Sequence, residues 1–97
     1  MSSRAYVVSL QLDAGPEALE DGTLRTRLRE LEPSIHMFGR HHGKAGVMFG
    51  EVQAESETDA CFKARRLWDK CEAATGLAAL SCHAIRDLAT EQKLAPS

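Results

Sequence analysis

The sequence predicts a single α+β domain in which six elements follow the order β-α-β-β-α-β, giving a four-stranded antiparallel sheet with two helices on one face. Three observations carry this expectation. Ser56-Glu57-Thr58-Asp59 and Gly76-Leu77 mark both ends of one helix. A hydroxyl three residues before an acid satisfies free amides at the start, and glycine accepts the left-handed stop. Tyr6, Val8, Leu10 and Leu12 alternate with Val7, Ser9 and Gln11, the period of a strand with one buried face. Strand-like runs, Val47 to Ala54 and Leu80 to Ile85, flank the capped helix.

Taken in order, Asp13-Ala14-Gly15-Pro16 ends the first strand, since its residues favour turns over sheet. Leu24, Leu28 and Leu31 then fall on one stripe of a helix bounded by Gly22 and Pro33. Its start has two readings, because Pro16 can open an earlier turn and Leu19 lies off the stripe. Ile35 to Gly39 reads as a short strand. Arg40 to Lys44, with Gly43 near its tip, is the connection of a hairpin into Val47.

The third strand also has two readings. Unbroken alternation turns Met48, Gly50, Val52 and Ala54 inward and Val47, Phe49, Glu51 and Gln53 outward. A bulge at Gly50 would reverse the first half and send Val47 and Phe49 into the core. Unbroken alternation is the expectation carried forward. In the capped helix, Ala60, Ala64, Leu67, Trp68, Cys71 and Ala74 share an inner arc with Cys61, while Phe62 points among charged residues on the far side. The last strand has Leu80, Cys82 and Ala84 on one face and Ser81, His83 and Ile85 on the other. The domain core spans about residues 5–86, with 87–97 a polar tail that holds at most one helical turn around Leu88.

With right-handed crossovers, this order resembles the ferredoxin-like superfold over about Tyr6 to Ile85, with strands arranged 4-1-3-2. The superfold hosts metabolite-sensing modules, RNA-binding domains, dimeric α/β-barrel enzymes and subunit adaptors. The resemblance therefore implies a fold and no reaction.

Composition narrows the classes. Ninety-seven residues suit one small core, and 43% hydrophobic with 27% charged content is ordinary for a globular chain. A net charge of -2 supplies no global field for nucleic acid or acidic lipid. No apolar run approaches the roughly 20 residues that span a bilayer, and Met1-Ser2-Ser3-Arg4 opens no secretory signal. A cytoplasmic location is the expectation. The three cysteines form no Cys-x-x-Cys pair, and Cys61 and Cys71 stand about 15 Å apart along one helix. Reduced, packed thiols fit this pattern best.

The candidate sites are few. Arg40-His41-His42-Gly43-Lys44, with His36 upstream, could meet an anion or a phosphate backbone, and equally reads as a solvated hairpin tip. Adjacent histidines with no acid or thiol nearby in sequence make a poor metal set. RNA recognition wants several stacked aromatics on the central strands, and these offer only Phe49 and, on the core face, Tyr6, so nucleic acid is a disfavoured partner. Glu55, Glu57 and Asp59 crowd the capped helix start and repel a phosphate there. His36 and His83 are strand histidines on opposite sheet edges, too far apart for acid–base work within one subunit.

The outward sheet face weighs most. Val7, Ser9 and Gln11 would neighbour Val47, Phe49 and Glu51 on a surface without helices. Burying about 600 Å² of apolar area there would contribute about 15 kcal/mol at about 25 cal/mol per Å², before the cost of association. The expectation is a non-enzymatic binding or regulatory module, without cofactor, that forms a homodimer through this face. The alternatives are a dimeric α/β-barrel-like enzyme with a small organic substrate, and an adaptor docking through Phe62 or the basic hairpin. Phe62, His36, Arg40, His41, His42, Lys44 and His83 are the candidate partner or ligand contacts.

Overall fold

The computed structural model describes residues 4–85. Its elements are β1 (Arg4–Leu12), a 3-10 turn (Pro16–Leu19), α1 (Gly22–Leu31), β2 (Ile35–His41), β3 (Lys44–Ala54), α2 (Glu57–Thr75) and β4 (Ala79–Ile85). The strands pair antiparallel in one sheet, in the order β2-β3-β1-β4. Tyr6, Val8, Leu10 and Leu12 point from β1 into a core shared with both helices, as a two-residue period requires. The expected polar tail and the turn around Leu88 lie outside the described residues.

Both readings of the first helix contribute. Pro16 opens the 3-10 turn, which buries Leu19, and Asp21 then caps a separate helix by accepting from the Thr23 amide at 2.9 Å. The Arg25 side chain donates back to the Leu19 carbonyl and ties the two pieces together. Leu28 is fully buried, with Leu24 and Leu31 packed at the margin. At the helix end Glu32 is buried but paired: Lys70 Nζ of α2 lies 3.0 Å from its carboxylate, and the Ser34 amide and hydroxyl both donate to it. Burial pushes the Glu32 pKa up, but the bonds from Ser34 and Lys70 outweigh it and hold the carboxyl below its ordinary range.

Helix α2 has the ends its sequence implies. Ser56 Oγ accepts from the Asp59 amide at 3.1 Å, and Gly76 adopts φ 78° while its amide returns to the Glu72 carbonyl at 2.7 Å. Ala60 and Ala64 are wholly buried, so the helix axis can approach the sheet closely. Trp68 fills the space beside them and donates its indole N–H to the Leu77 carbonyl at 2.8 Å, which satisfies its one polar atom. Cys71 is buried and Cys61 and Leu67 half-buried, whereas Ala74, expected on the inner arc, is exposed.

The third strand corrects the expectation carried forward. Its register against β1 passes from Tyr6↔Val52 to Val8↔Phe49, so Val7 faces both Gly50 and Glu51. That is a bulge, and Glu51 takes φ 55° within it. Val47 and Phe49 are therefore in the core, 1% and 0% exposed, together with Val52 and Ala54 from beyond the bulge. The physical reason is burial. An αL residue other than glycine costs about 1–3 kcal/mol, while burying two large apolar side chains contributes about 1.5–3 kcal/mol each. A second irregularity, at Leu12 against β4, leaves Leu80 43% exposed instead of inward.

The hairpin is tighter than Arg40 to Lys44. His42 (φ 53°) and Gly43 (φ 80°) alone form the turn, with His41 paired to Lys44. Two consecutive positive φ values match the twist of the flanking strands.

Trp68→Ala is expected to cost about 3–5 kcal/mol, the range for large-to-small core changes. Urea denaturation of wild type and variant measures this, and an unchanged midpoint would contradict the packing described.

Candidate functional site

The sheet face opposite the helices carries a connected polar array. Ser9 on β1 stands directly opposite His83 on β4, and Gln11 opposite Ser81. The Ser81 hydroxyl donates to Gln11 Oε1 at 2.9 Å, and Gln11 Nε2 donates to the His41 backbone carbonyl at 3.0 Å. Ser9 Oγ and His41 Nδ1 are 3.0 Å apart, the tautomer deciding which of them donates. The chain of contacts thus runs from β4 across β1 to β2.

His41 reaches β1 only because β3 has no side chain in the way. The two-residue turn pairs Gly39 with Gly46, and the His41 side chain folds over Gly46, where an added Cβ would lie 2.9 Å from His41 Cβ. The glycine pair leaves a shallow groove of about 320 Å³, walled by Met37, Met48 and Ser9. Met37 is 47% exposed and Met48 half-buried, and they face each other across β2 and β3. With Val47 and Phe49 withdrawn to the core, Val7, Met37 and Met48 supply the apolar part of this face.

Burial lowers the His41 pKa, and the nearby His42 and His83 lower it further, against a hydrogen bond to the Leu10 backbone that raises it. Its imidazole is therefore neutral near pH 7. A neutral imidazole on a serine hydroxyl is the beginning of a nucleophilic pair, which also needs a group orienting the ring and donors for an oxyanion. Among the described residues no carboxylate hydrogen-bonds the His41 ring. What the array offers as it stands is fixed hydrogen-bonding groups on a rigid sheet.

The other sequence candidates are dispersed. His42 is exposed in the turn, its ring 4.8 Å from that of His41. Arg40 is exposed on β2 opposite Ala45. Lys44 pairs with Asp13 at 3.8 Å, an acid brought in from the end of β1. His36 sits at an irregularity of β2, its carbonyl accepting from Arg29 at 3.1 Å. Glu51 is exposed at the bulge. Among the described residues, no three His, Cys, Asp or Glu side chains gather closely enough to hold a metal ion. Nor is any helix among them long and apolar enough to cross a membrane.

Phe62 belongs to a second concavity. It is 58% exposed on α2, with the Arg66 guanidinium 5.7 Å above its ring. Pairing of β2 with β3 reaches Ile35↔Phe49, and the Gly50 amide still donates to the Ser34 carbonyl at 3.2 Å, so β3 runs on from Glu51 to Ala54 without β2 beside it. Between that overhang and α2 lies a groove of about 500 Å³, lined by Glu51, Val52, Phe62 and Leu67 among others. One polar group of the overhang is already taken, because Lys63 Nζ donates to the Gln53 carbonyl at 3.0 Å.

The Ser9–His41 contact and the Gly39/Gly46 gap were not anticipated. A sequence signal existed: centring the turn on His42-Gly43 pairs residues 39 and 46. Comparison with known protein families, with characterised proteins and with solved structures yields no match.

Because folding depresses the His41 pKa, the unfolded chain binds the extra proton first as pH falls below about 6.5. Stability contributed by neutral His41 is thus present above that pH and is lost progressively toward its folded pKa. Denaturant melts between pH 7.5 and 5 should show wild type losing more stability on acidification than His41→Gln. Equal pH slopes would contradict a half-buried, neutral His41.

Proposed function

We propose that this chain is a non-catalytic binding module of the ferredoxin-like superfold that pairs with a second copy of itself through the open sheet face. The strand order β2-β3-β1-β4 and the element order support the superfold reading. The observation that carries self-association is the uncovered face itself. It combines half-buried Val7 and Met48 and exposed Met37 with a polar array in which Ser9, Gln11, Ser81 and His41 are linked by hydrogen bonds. Those internal bonds lessen the cost of desolvating the surface, and antiparallel sheets with one bare face are suited to stacking. Methionines tolerate the small adjustments that a stacked pair of faces requires.

A second reading, docking of a partner protein, is favoured by the exposed Phe62 beside the β3 overhang. An aromatic anchor next to an unpaired strand edge suits an extended peptide. The two readings occupy different faces and are tested separately.

Multi-angle light scattering at tens of micromolar should return twice the chain mass for wild type and the single-chain mass for Met48→Glu, which places a charge in the proposed contact. Phe49→Glu is unsuitable for this purpose, because it would charge the core. A single-chain mass for wild type, or an unchanged Met48→Glu dimer, would count against the reading. Phe62→Ala should leave the mass unchanged. For the docking reading, a random extended-peptide library should yield binders to wild type that Phe62→Ala fails to retain.

A further inference from the structure

The seam between α2 and β4 brings together two cysteines that the binding reading does not use. Cys82 of β4 directs its thiol at the backbone of Cys61 on α2, with Sγ 3.7 Å from the Cys61 carbonyl oxygen, and the two side-chain thiols also interact. Both residues are half-buried, so a small reagent can reach the seam, while Cys71 is fully buried farther along the same helix. The Arg65 guanidinium lies at this seam too, 3.5 Å from the Ala79 carbonyl of β4, and gives it a positive charge.

We propose that Cys61 and Cys82 form an oxidative cross-link site, with a low-molecular-weight disulfide of the glutathione class as the oxidant. The Cys82 thiol is pushed up to about 12, first by burial and then by its hydrogen bond with Cys61 and the charge Cys61 would carry, while Arg65 opposes the rise. It is a poor opening nucleophile. Cys61 therefore opens the reaction. Its thiolate attacks one sulfur of the oxidised reagent, forming a mixed disulfide and expelling one glutathione thiolate. Cys82 then loses its proton to solvent and attacks the Cys61 sulfur, forming the internal bond and expelling the second thiolate. Two protein thiols are oxidised, and one reagent disulfide is reduced to two thiols, which take up the two protons the cysteines give off. Proximity converts the second step into an intramolecular one. The product staples the helix to an edge strand of the sheet, across the same seam that Trp68 closes through Leu77.

The test is exposure of folded, fully reduced protein to oxidised glutathione, followed by alkylation, intact mass and peptide mapping. The expected product is a single covalent chain, has lost about 2 Da as two S–H bonds become one S–S bond, and maps as Cys61 linked to Cys82. Cys71→Ser should give the same cross-link, whereas Cys82→Ser should stop at a glutathione adduct on Cys61. A wild-type chain that keeps a stable glutathione adduct would overturn the proposal. So would one that links through Cys71, joins only between chains, or keeps all its thiols free. Mapping on the wild type keeps the answer independent of how well any variant folds.

Discussion

The bulge at Gly50 and Glu51 is the constraint on which the rest of this structure depends. A strand of strict alternation cannot bury Val47, Phe49, Val52 and Ala54 together, because 49 and 52 differ by an odd number of residues. One extra residue, with Glu51 at φ 55°, makes the four compatible. The conformational cost is local and of the order of 1–3 kcal/mol, smaller than what the two large side chains contribute by leaving water. The core under α2 exists in its present form because that exchange is favourable.

The same bulge decides both surfaces of possible interest. Turning Val47 and Phe49 inward leaves Met48 and Gly46 on the open face. Gly46 then gives His41 room to cross β3 and meet Ser9. Beyond the bulge, β3 continues past the end of its pairing with β2, and the groove beside Phe62 is the space that this overhang and α2 leave between them. A backbone irregularity of one residue thereby sets the chemistry of one face and the shape of the other.

The helical layer is held by a different principle, polar groups satisfied at the points where elements meet. The Trp68 indole closes on the Leu77 carbonyl just after the α2 stop, and buried Glu32 joins the end of α1 to Lys70 of α2. Among the described residues, no buried side-chain nitrogen or oxygen lacks a partner. Glu32 shows why this matters: burial raises its pKa, and three donors more than offset that and favour the ionised form. These contacts orient the helices where purely apolar packing would leave them free to slide.

Much of the fold was legible because its signals are local. The Ser56 cap, the Gly76 stop, the alternation of β1 and the leucine stripe of α1 each concern residues within one or two turns of each other, and backbone geometry alone relates them to structure. The 3-10 turn at Pro16 was legible as one of two options. What stayed hidden depended on partners distant in sequence. Whether β3 bulges turns on what β1 and the helices can bury, so Val47 and Phe49 could not be placed from the strand itself. The Ser9–His41 contact spans 32 residues and needs the Gly39/Gly46 gap between them. The meeting of Cys61 with Cys82, the pairing of Lys44 with Asp13 and the groove at Phe62 likewise arise only when strands and helices are assembled. By itself the sequence determined which segments are helix and strand and in what order, because those preferences are written in neighbouring residues. The tertiary structure alone decided which side chains share a surface, because a one-residue change of register moves every side chain beyond it to the opposite face.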